Sequence, residues 1–435
     1  MKTKLPAAAW LTIILFGFIG QLAWNIENME FNLFLFNYIG GTTADIAAMV
    51  AWSAVVSTIT TLLMGIVTDR LGKRKLFLCG GYIIWGFMTL LFAFISRDNT
   101  ARIFPGLTAA EILARTSFMV ILMDCIMSFF GSVANDASFN AWVTESTDET
   151  NRGTVEGVLN VFPLLAMLVV AGASGVIVDA IGWPMFFVVM GGLVSLCGLL
   201  GFLFVKEPNH QAAPEMKFLD SVVYGFRPSI IKENGKFYIA LLGLCLFNIS
   251  VQIFMPYLLI YLQNTLGFET LTYSLVMAVV IVLASVFSIL IGQFSDSLGK
   301  EKFAVISVAL FAAGLLLASF MKTPLAFTAA GTVMMCGFVA ISVIFLSAVR
   351  DYTPAEHVGM FQGIRLLAYV LIPMIIGPNI GNAIIERMSN GTYVNAYGEL
   401  VRLPVSAVFV AAALMSLTVL IPCFILFGKK RSSAD

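Results

Sequence analysis

Long apolar stretches and short polar ones alternate along the whole chain. A bilayer core about 30 Å thick needs about 20 apolar residues in a helix. Runs of that kind recur twelve times, at 7–36, 43–68, 76–96, 117–141, 154–179, 184–205, 237–262, 271–294, 303–321, 324–348, 359–386 and 404–427. The pattern predicts an all-α membrane protein of twelve transmembrane helices. The first run follows Lys2 and Lys4, as in a signal peptide, but eleven further runs come after it. It is therefore read as an uncleaved first span.

The polar punctuation predicts the orientation. With both termini in the cytoplasm, the outside segments hold only Arg97, Arg102, Arg115, Lys322, Arg387 and Arg402, which leaves 19 of the 25 Lys and Arg inside. Such asymmetry is the positive-inside signature. The longest inside stretch, 206–236, carries Pro208, Pro214 and Pro228 and separates two six-span bundles, 1–205 and 237–435. Composition agrees with lipid as the solvent: 59% of residues are hydrophobic and 11% charged, against about 25% charged in a soluble domain. Net charge is +0, which argues against a nucleic-acid partner. The six Cys form no C-x-x-C pair, so neither zinc nor a disulfide framework is indicated.

The two bundles repeat one another. "GIVTDRLGKRK" (65–75) matches "GQFSDSLGKEK" (292–302) at an offset of 227 residues, and "VTESTDETNRGTVEG" (143–157) resembles "VRDYTPAEHVGMFQG" (349–363) at an offset of 206. The outside loop 97–116 has only "KTP" (322–324) as its counterpart, which accounts for the difference. Paired halves are a common transporter plan, with the solute site at the repeat interface.

The repeated G-x-x-x-D-[R/S]-x-G-K-x-K, after the second and eighth spans, resembles the signature loop of the major facilitator superfamily. "WVTESTDETNRG" (142–153) and "YGFRPSIIKENGKFY" (224–238) are most similar to the glycoside–pentoside–hexuronide:cation symporters. The resemblance implies a gating role for the loop residues Gly65, Asp69, Arg70, Gly72 and Arg74, and for Gly292, Asp296, Gly299 and Lys300 in the repeat. Read physically, the glycines permit close approach and a tight turn, and Asp69 can meet a cation or a helix N-terminus. Topological anchoring by positive charge is the alternative. The symporter family carries two intramembrane Asp on span two where this chain has Ser57 and Thr61. Its span-four Asp falls at Asn135 or Asp136, its sugar-binding acid near Gln21 and its span-five Arg near Asn160. The resemblance implies a coupling cation; with the paired acids missing and single acids remaining, this chain departs from the family in the direction of protons over sodium.

Within span one, "QLAWNIENMEFN" (21–32) is unusually polar. At 100° per residue, Gln21, Asn25, Asn28 and Asn32 fall within about 60° of one another, while Glu27 and Glu30 point elsewhere. Polar groups facing lipid are costly, so the amide stripe is expected to face protein or water. Adding 227 brings Gln21 onto Asn248 and Asn25 onto Gln252. Amides donate and accept without charge, which suits a neutral polyhydroxylated solute, and Trp24 beside them can stack on a sugar face. Gln21, Trp24, Asn25, Asn28, Asn135, Asn160, Asn248 and Gln252 are the candidate solute contacts. Hydrogen bonding between helices is the other use of such amides.

A charge at mid-bilayer costs about 2.5–3.5 kcal/mol on insertion scales. Asp124 and Asp136 on span four are candidate coupling acids, or else buried, hydrogen-bonded side chains. Glu27 and Glu30 are coupling acids if span one buries them, and vestibule charges if it does not. Arg365 shares a helix face with Gln362 and Tyr369 and needs an anionic partner or solute, or else anchors the start of span eleven. No nucleophile–base set and no P-loop appears, so neither an enzyme nor direct ATP coupling is expected, and no cofactor. The expectation is a monomeric, multi-pass protein of the cytoplasmic (inner) membrane. It would move a small polar solute, a neutral sugar or glycoside, by alternating access in symport with a proton or another cation. A proton-coupled exporter and a transport-inactive membrane sensor are the alternatives.

Overall fold

The structure is a computed structural model that describes residues 5–148, 151–159, 161–208, 226–298, 300–353, 361, 364–395 and 397–427; the side chains at 69, 152, 153, 156 and 288–301 lie outside that description. The chain divides into two compact units, Met1–Glu215 with Thr392–Val401, and Met216–Gly391 with Arg402–Asp435.

Among the described residues, eleven helical runs are long and apolar enough to cross a membrane. In the first unit these are α1 (Ala7–Leu33, extended by π-helical turns to Ile39), α2 (Thr43–Leu71) and α3 (Arg74–Leu91). After a short helix, α4 (Arg97–Ile103), α5 (Ala109–Gly131) passes through π-helical turns at Ser132–Phe139 into α6 (Asn140–Ser146). α7 (Arg152–Leu159) and α8 (Phe162–Val169) lead through further π-helical turns into α9 (Gly175–Phe204). The run Gly157–Phe204 is 48 residues long, roughly 70 Å at 1.5 Å per residue, which is more than twice the bilayer core. Gly182, with φ 76° and ψ 161°, breaks the helix inside it.

The second unit holds α10 (Gly235–Phe254), α11 (Thr270–Leu298), α12 (Lys300–Phe320), α13 (Pro324–Tyr352), α14 (Ile372–Met388), α15 (Ala407–Leu417) and α16 (Leu420–Phe427). The π-helical turns that follow α10 start at Tyr261 and those that follow α1 start at Phe34. The offset is again 227, so the internal repeat extends to a local irregularity of the backbone.

Backbones approach closely where side chains vanish. α3 lies along α9 through Gly86, Gly191 and Gly198: a Cβ at Gly86 would overlap the Gly191 carbonyl and Ser195. In the second unit a Cβ at Gly314 would overlap the Met334 backbone, where α12 meets α13. Small residues serve this purpose inside membranes, where no hydrophobic force draws helices together.

The segments expected on the outside are more ordered than the polar punctuation suggests. The expected loop 97–116 contains α4 and the first turns of α5. Thr108 caps α5: its hydroxyl accepts from the Glu111 amide (3.3 Å), and the Glu111 carboxylate accepts from the Thr108 amide (2.8 Å). The apolar run begins later because Glu111 and Arg115 interrupt it, yet a capped helix propagates through polar residues. Residues 387–403 carry a two-stranded hairpin, β1 (Thr392–Val394) and β2 (Leu400–Arg402). Its tip docks inside the first unit on Arg97, a buried side chain. Arg97 donates to the Ile39 carbonyl (Nε, 2.7 Å) and to both carboxylate oxygens of Glu399 (3.0 and 2.6 Å). The Tyr397 ring stacks on the guanidinium at 3.8 Å.

Candidate functional site

The polar face of α1 splits only in part as its spacing implies, because Asn32 falls on the buried side with the acids. Gln21, Trp24 and Asn25 are half-buried and Asn28 is exposed, whereas Asn32, Glu27 and Glu30 are buried. Three of the amides are turned back on their own helix. Asn25 donates to the Gln21 carbonyl (2.8 Å), Asn28 to Trp24 (2.7 Å) and Asn32 to Asn28 (2.8 Å). Each spends one N–H on the carbonyl four residues back and keeps its oxygen and its second N–H for other partners. In α10, Asn248 does the same with the Leu244 carbonyl (2.8 Å). Gly377 lies so close to Gln252 that a Cβ there would overlap it.

Trp24 faces protein. Its ring packs on Trp85 (5.0 Å between centroids), and its Nε1 donates to Asn135 Oδ1 (3.3 Å). Asn135, 5% exposed, donates in turn to the Tyr82 hydroxyl (2.7 Å), which donates to the Phe16 carbonyl (2.6 Å). A Cβ at Gly20 would collide with both Asn135 and Tyr82, so that glycine makes room for the chain of bonds. The network ties α1, α3 and the π-helical turns after α5 together, and it occupies the polar groups of Trp24 and Asn135 that sequence reading assigned to a solute.

The acids define the centre of the unit. Glu27, 6% exposed, accepts at Oε1 from Ser53 of α2 (2.8 Å) and from Ser128 of α5 (2.9 Å). The two hydroxyls lie 3.2 Å apart, and Ser128 also sits within bonding distance of the Asp124 carbonyl (2.8 Å). Asp124 is 1% exposed and lies one turn before Ser128 on α5. Glu27 Oε2, Glu30 Oε2 and Asp124 Oδ1 are buried without a hydrogen-bond partner among the described residues. Glu27 and Glu30 are therefore both buried side chains, not groups open to solvent. Asp136, half-buried, accepts at Oδ2 from Ser132 (3.1 Å) and Thr61 (3.5 Å). Ser132 is also 2.7 Å from the Ser57 hydroxyl. Ser57 and Thr61 thus stand beside Asp136, at the places where the symporter resemblance expects a carboxylate pair. Sequence reading singled out neither Ser53 nor Ser132 nor Tyr82. Spacing along one helix does not reveal register between two.

Serine suits such a carboxyl. A hydroxyl donates to the ionised form and accepts from the protonated form, so Ser53 and Ser128 can satisfy Glu27 Oε1 in either state.

At the end of α2, Gly72 takes the left-handed conformation (φ 61°) and its N–H closes on the Thr68 carbonyl (3.0 Å). The expected close approach at Gly65 is not seen: among the described residues nothing lies within 4 Å of where its Cβ would be. Arg74 is buried against Glu145 (Nη2–Oε1 2.6 Å) and donates to the Thr68 hydroxyl (2.8 Å). Glu145 belongs to the quoted motif after span four, although it carried no role there. Arg365 is half-buried near Tyr369. Asn160 and Gly299, and the side chains of Asp69, Asp296 and Lys300, lie outside the described residues.

Long apolar helices with acids and amides turned inward define a multi-pass membrane transporter of small solutes. The Major Facilitator Superfamily profile matches residues 13–279 and 240–435, and the chain belongs to that superfamily. It is 22% identical over 319 residues to Sugar efflux transporter A of Dickeya chrysanthemi, covering 72% of this chain and 74% of that one. Among solved structures it resembles a mutant form of the nucleoside transporter NupG, with a TM-score of 0.71, 15% identity and coverage of 96% and 99%. It also resembles a bacterial homologue of the human lysosomal transporter Spinster, with a TM-score of 0.66, 14% identity and coverage of 98% and 96%. These likenesses establish the fold.

Proposed function

We propose that the protein is a monomeric twelve-span transporter of the inner membrane, with both termini cytoplasmic, that moves a neutral sugar or glycoside by alternating access together with a proton. One observation carries the reading: Glu27 is buried where α1, α2 and α5 meet, bonded by two hydroxyls that fit either protonation state, with Asp124 buried one turn before Ser128. A buried carboxyl with such partners can take up and release a proton without losing its hydrogen bonds. The two-span reading of Gly157–Phe204, divided at Gly182, makes twelve spans of eleven runs.

The uncharged amides of Gln21, Asn25 and Asn28 favour a polyhydroxylated solute. Trp24 and Asn135 support them from behind instead of contacting it. The likeness to the glycoside–pentoside–hexuronide:cation symporters and the sugar relative agree on the substrate class. Ser57 and Thr61 in place of carboxylates favour protons over sodium. The second reading is proton-coupled sugar export, favoured by the efflux function in the relative's name. Arg74, with Glu145, is the gate residue whose contacts best fit a conformational lock, and Asp69, Arg70, Asp296 and Lys300 complete the gate in this reading.

The test is uptake of a panel of radiolabelled sugars into proteoliposomes under imposed pH or sodium gradients. Accumulation driven by a pH gradient is expected. No sugar moved under either gradient, in either direction, would sink the reading.

A further inference from the structure

The contacts between α2 and the helix that begins with α5 share one register. Ser53 meets Ser128, Ser57 meets Ser132 and Thr61 meets Asp136, each pair 75 residues apart in sequence. Both members advance by four residues, about one turn, from rung to rung. The two helices therefore run parallel, with a hydroxyl or carboxyl at each rung. The distances within the rungs are 3.2, 2.7 and 3.5 Å. At one end the ladder reaches Glu27 Oε1 through Ser53 and Ser128, and at the other Ser132 donates to Asp136 Oδ2. Ser53, Ser128 and Ser132 are buried.

We propose that this ladder is a proton path between Glu27 and Asp136, with Ser57 and Ser132 as its indispensable middle rung. The inference rests on the proton-coupled reading above. In the transfer, Glu27 loses its carboxyl proton to a first-rung hydroxyl, which passes its own proton on. One water spans the turn between the first and second rungs, where side chains on adjacent turns stand about 5–6 Å apart. Ser132 then delivers a proton to Asp136. Glu27 ends as a carboxylate and Asp136 as an acid. Each hydroxyl and the water still hold the protons they began with in number, and their orientations are reversed.

The ordinary use of paired serines in membrane helices is to bind the helices to one another. That role also explains the bonds, but it does not require the middle rung to matter for coupling. Ser57 and Ser132 touch neither Glu27 nor the amide stripe, so a purely structural loss would affect all transport modes alike.

The experiment compares Ser132→Thr with Ser132→Val, two side chains of the same shape that differ in the hydroxyl. Purified full-length protein in proteoliposomes is assayed for sugar accumulation driven by a pH gradient, and for sugar counterflow with no gradient. Ser132→Thr is expected to retain both. Ser132→Val is expected to keep counterflow and to lose gradient-driven accumulation by about tenfold or more, the size of effect that about 1.4 kcal/mol on a barrier produces. Equal behaviour of the two variants, whether both active or both inactive, would overturn the relay. A wild-type protein that moves sugar with no linked pH change would overturn the proton reading and the relay together.

Discussion

The hairpin clasp on Arg97 offers a sharp test of how the first unit is held together. Glu399 Oε2 accepts from Arg97 Nη2 (2.6 Å) and from the Asn395 amide nitrogen (2.9 Å), while Oε1 accepts from Arg97 Nη1 (3.0 Å). In Glu399→Gln one of these oxygens becomes an NH2 group. Whichever way the amide turns, a donor then faces a donor. A hydrogen bond to a charged group contributes about 1.5–3 kcal/mol. Glu399 is 31% exposed, so water replaces part of what is lost, and the lower end, about 1.5 kcal/mol, is the working figure. That corresponds to about tenfold more frequent opening of the hairpin. Hydrogen exchange at the amides of Asn395, Gly398 and Leu403, which are bonded to the carbonyls of Glu399, Asn395 and Gly391, reads this directly. The pH dependence has a definite sign. The hydrogen bonds from Arg97 hold the Glu399 carboxyl below the ordinary glutamate value of 4.5. Stabilisation of the clasp is therefore complete above that value and is lost as pH falls through the lower, folded-state value. Glu399→Gln should remove this acid dependence. Exchange within twofold of wild type, or an unchanged acid dependence after correction for intrinsic rates, would refute the reasoning.

Other expectations follow from single contacts. Glu145→Ala leaves the buried Arg74 guanidinium without its carboxylate, and breaking such a pair costs about 3–5 kcal/mol; thermal unfolding in detergent should shift down markedly, and an unshifted midpoint would contradict the pairing. Gly86→Ala forces a methyl group into the Gly191 carbonyl and Ser195, an overpacking that costs about 1–3 kcal/mol; wild-type thermal stability would show that α3 and α9 have room to part. Gln21→Ala and Asn25→Ala should weaken sugar transport while leaving the amount of folded protein unchanged; normal transport in both would remove the amide stripe from the solute site.

The spans were legible because a bilayer demands long apolar runs; the split on α1 was legible only in part, because 3.6-residue periodicity groups Asn32 with the other amides while the fold buries it with Glu27 and Glu30. Glu27 and Gln21 do lie on different faces. What Glu27 touches was not legible: Ser53 and Ser128 reach it through the register of three helices, and nothing in a single periodicity sets that register. The Asn25, Asn28 and Asn32 bonds to their own helix are local and follow from the four-residue step, so they were readable in principle. α4 and the hairpin carry no apolar signal. Arg97 reads in sequence only as a charge on the outer side; its partner Glu399 is 302 residues away, and only the folded chain brings them together.

The central claim is that Glu27 carries the proton that accompanies the solute. The direct measurement is the pH change inside proteoliposomes during sugar influx, in wild type and in Glu27→Gln. The account predicts that sugar entry moves protons in the wild type, and that Glu27→Gln still exchanges sugar across the membrane with no linked pH change. Proton movement of wild-type size in Glu27→Gln would contradict it.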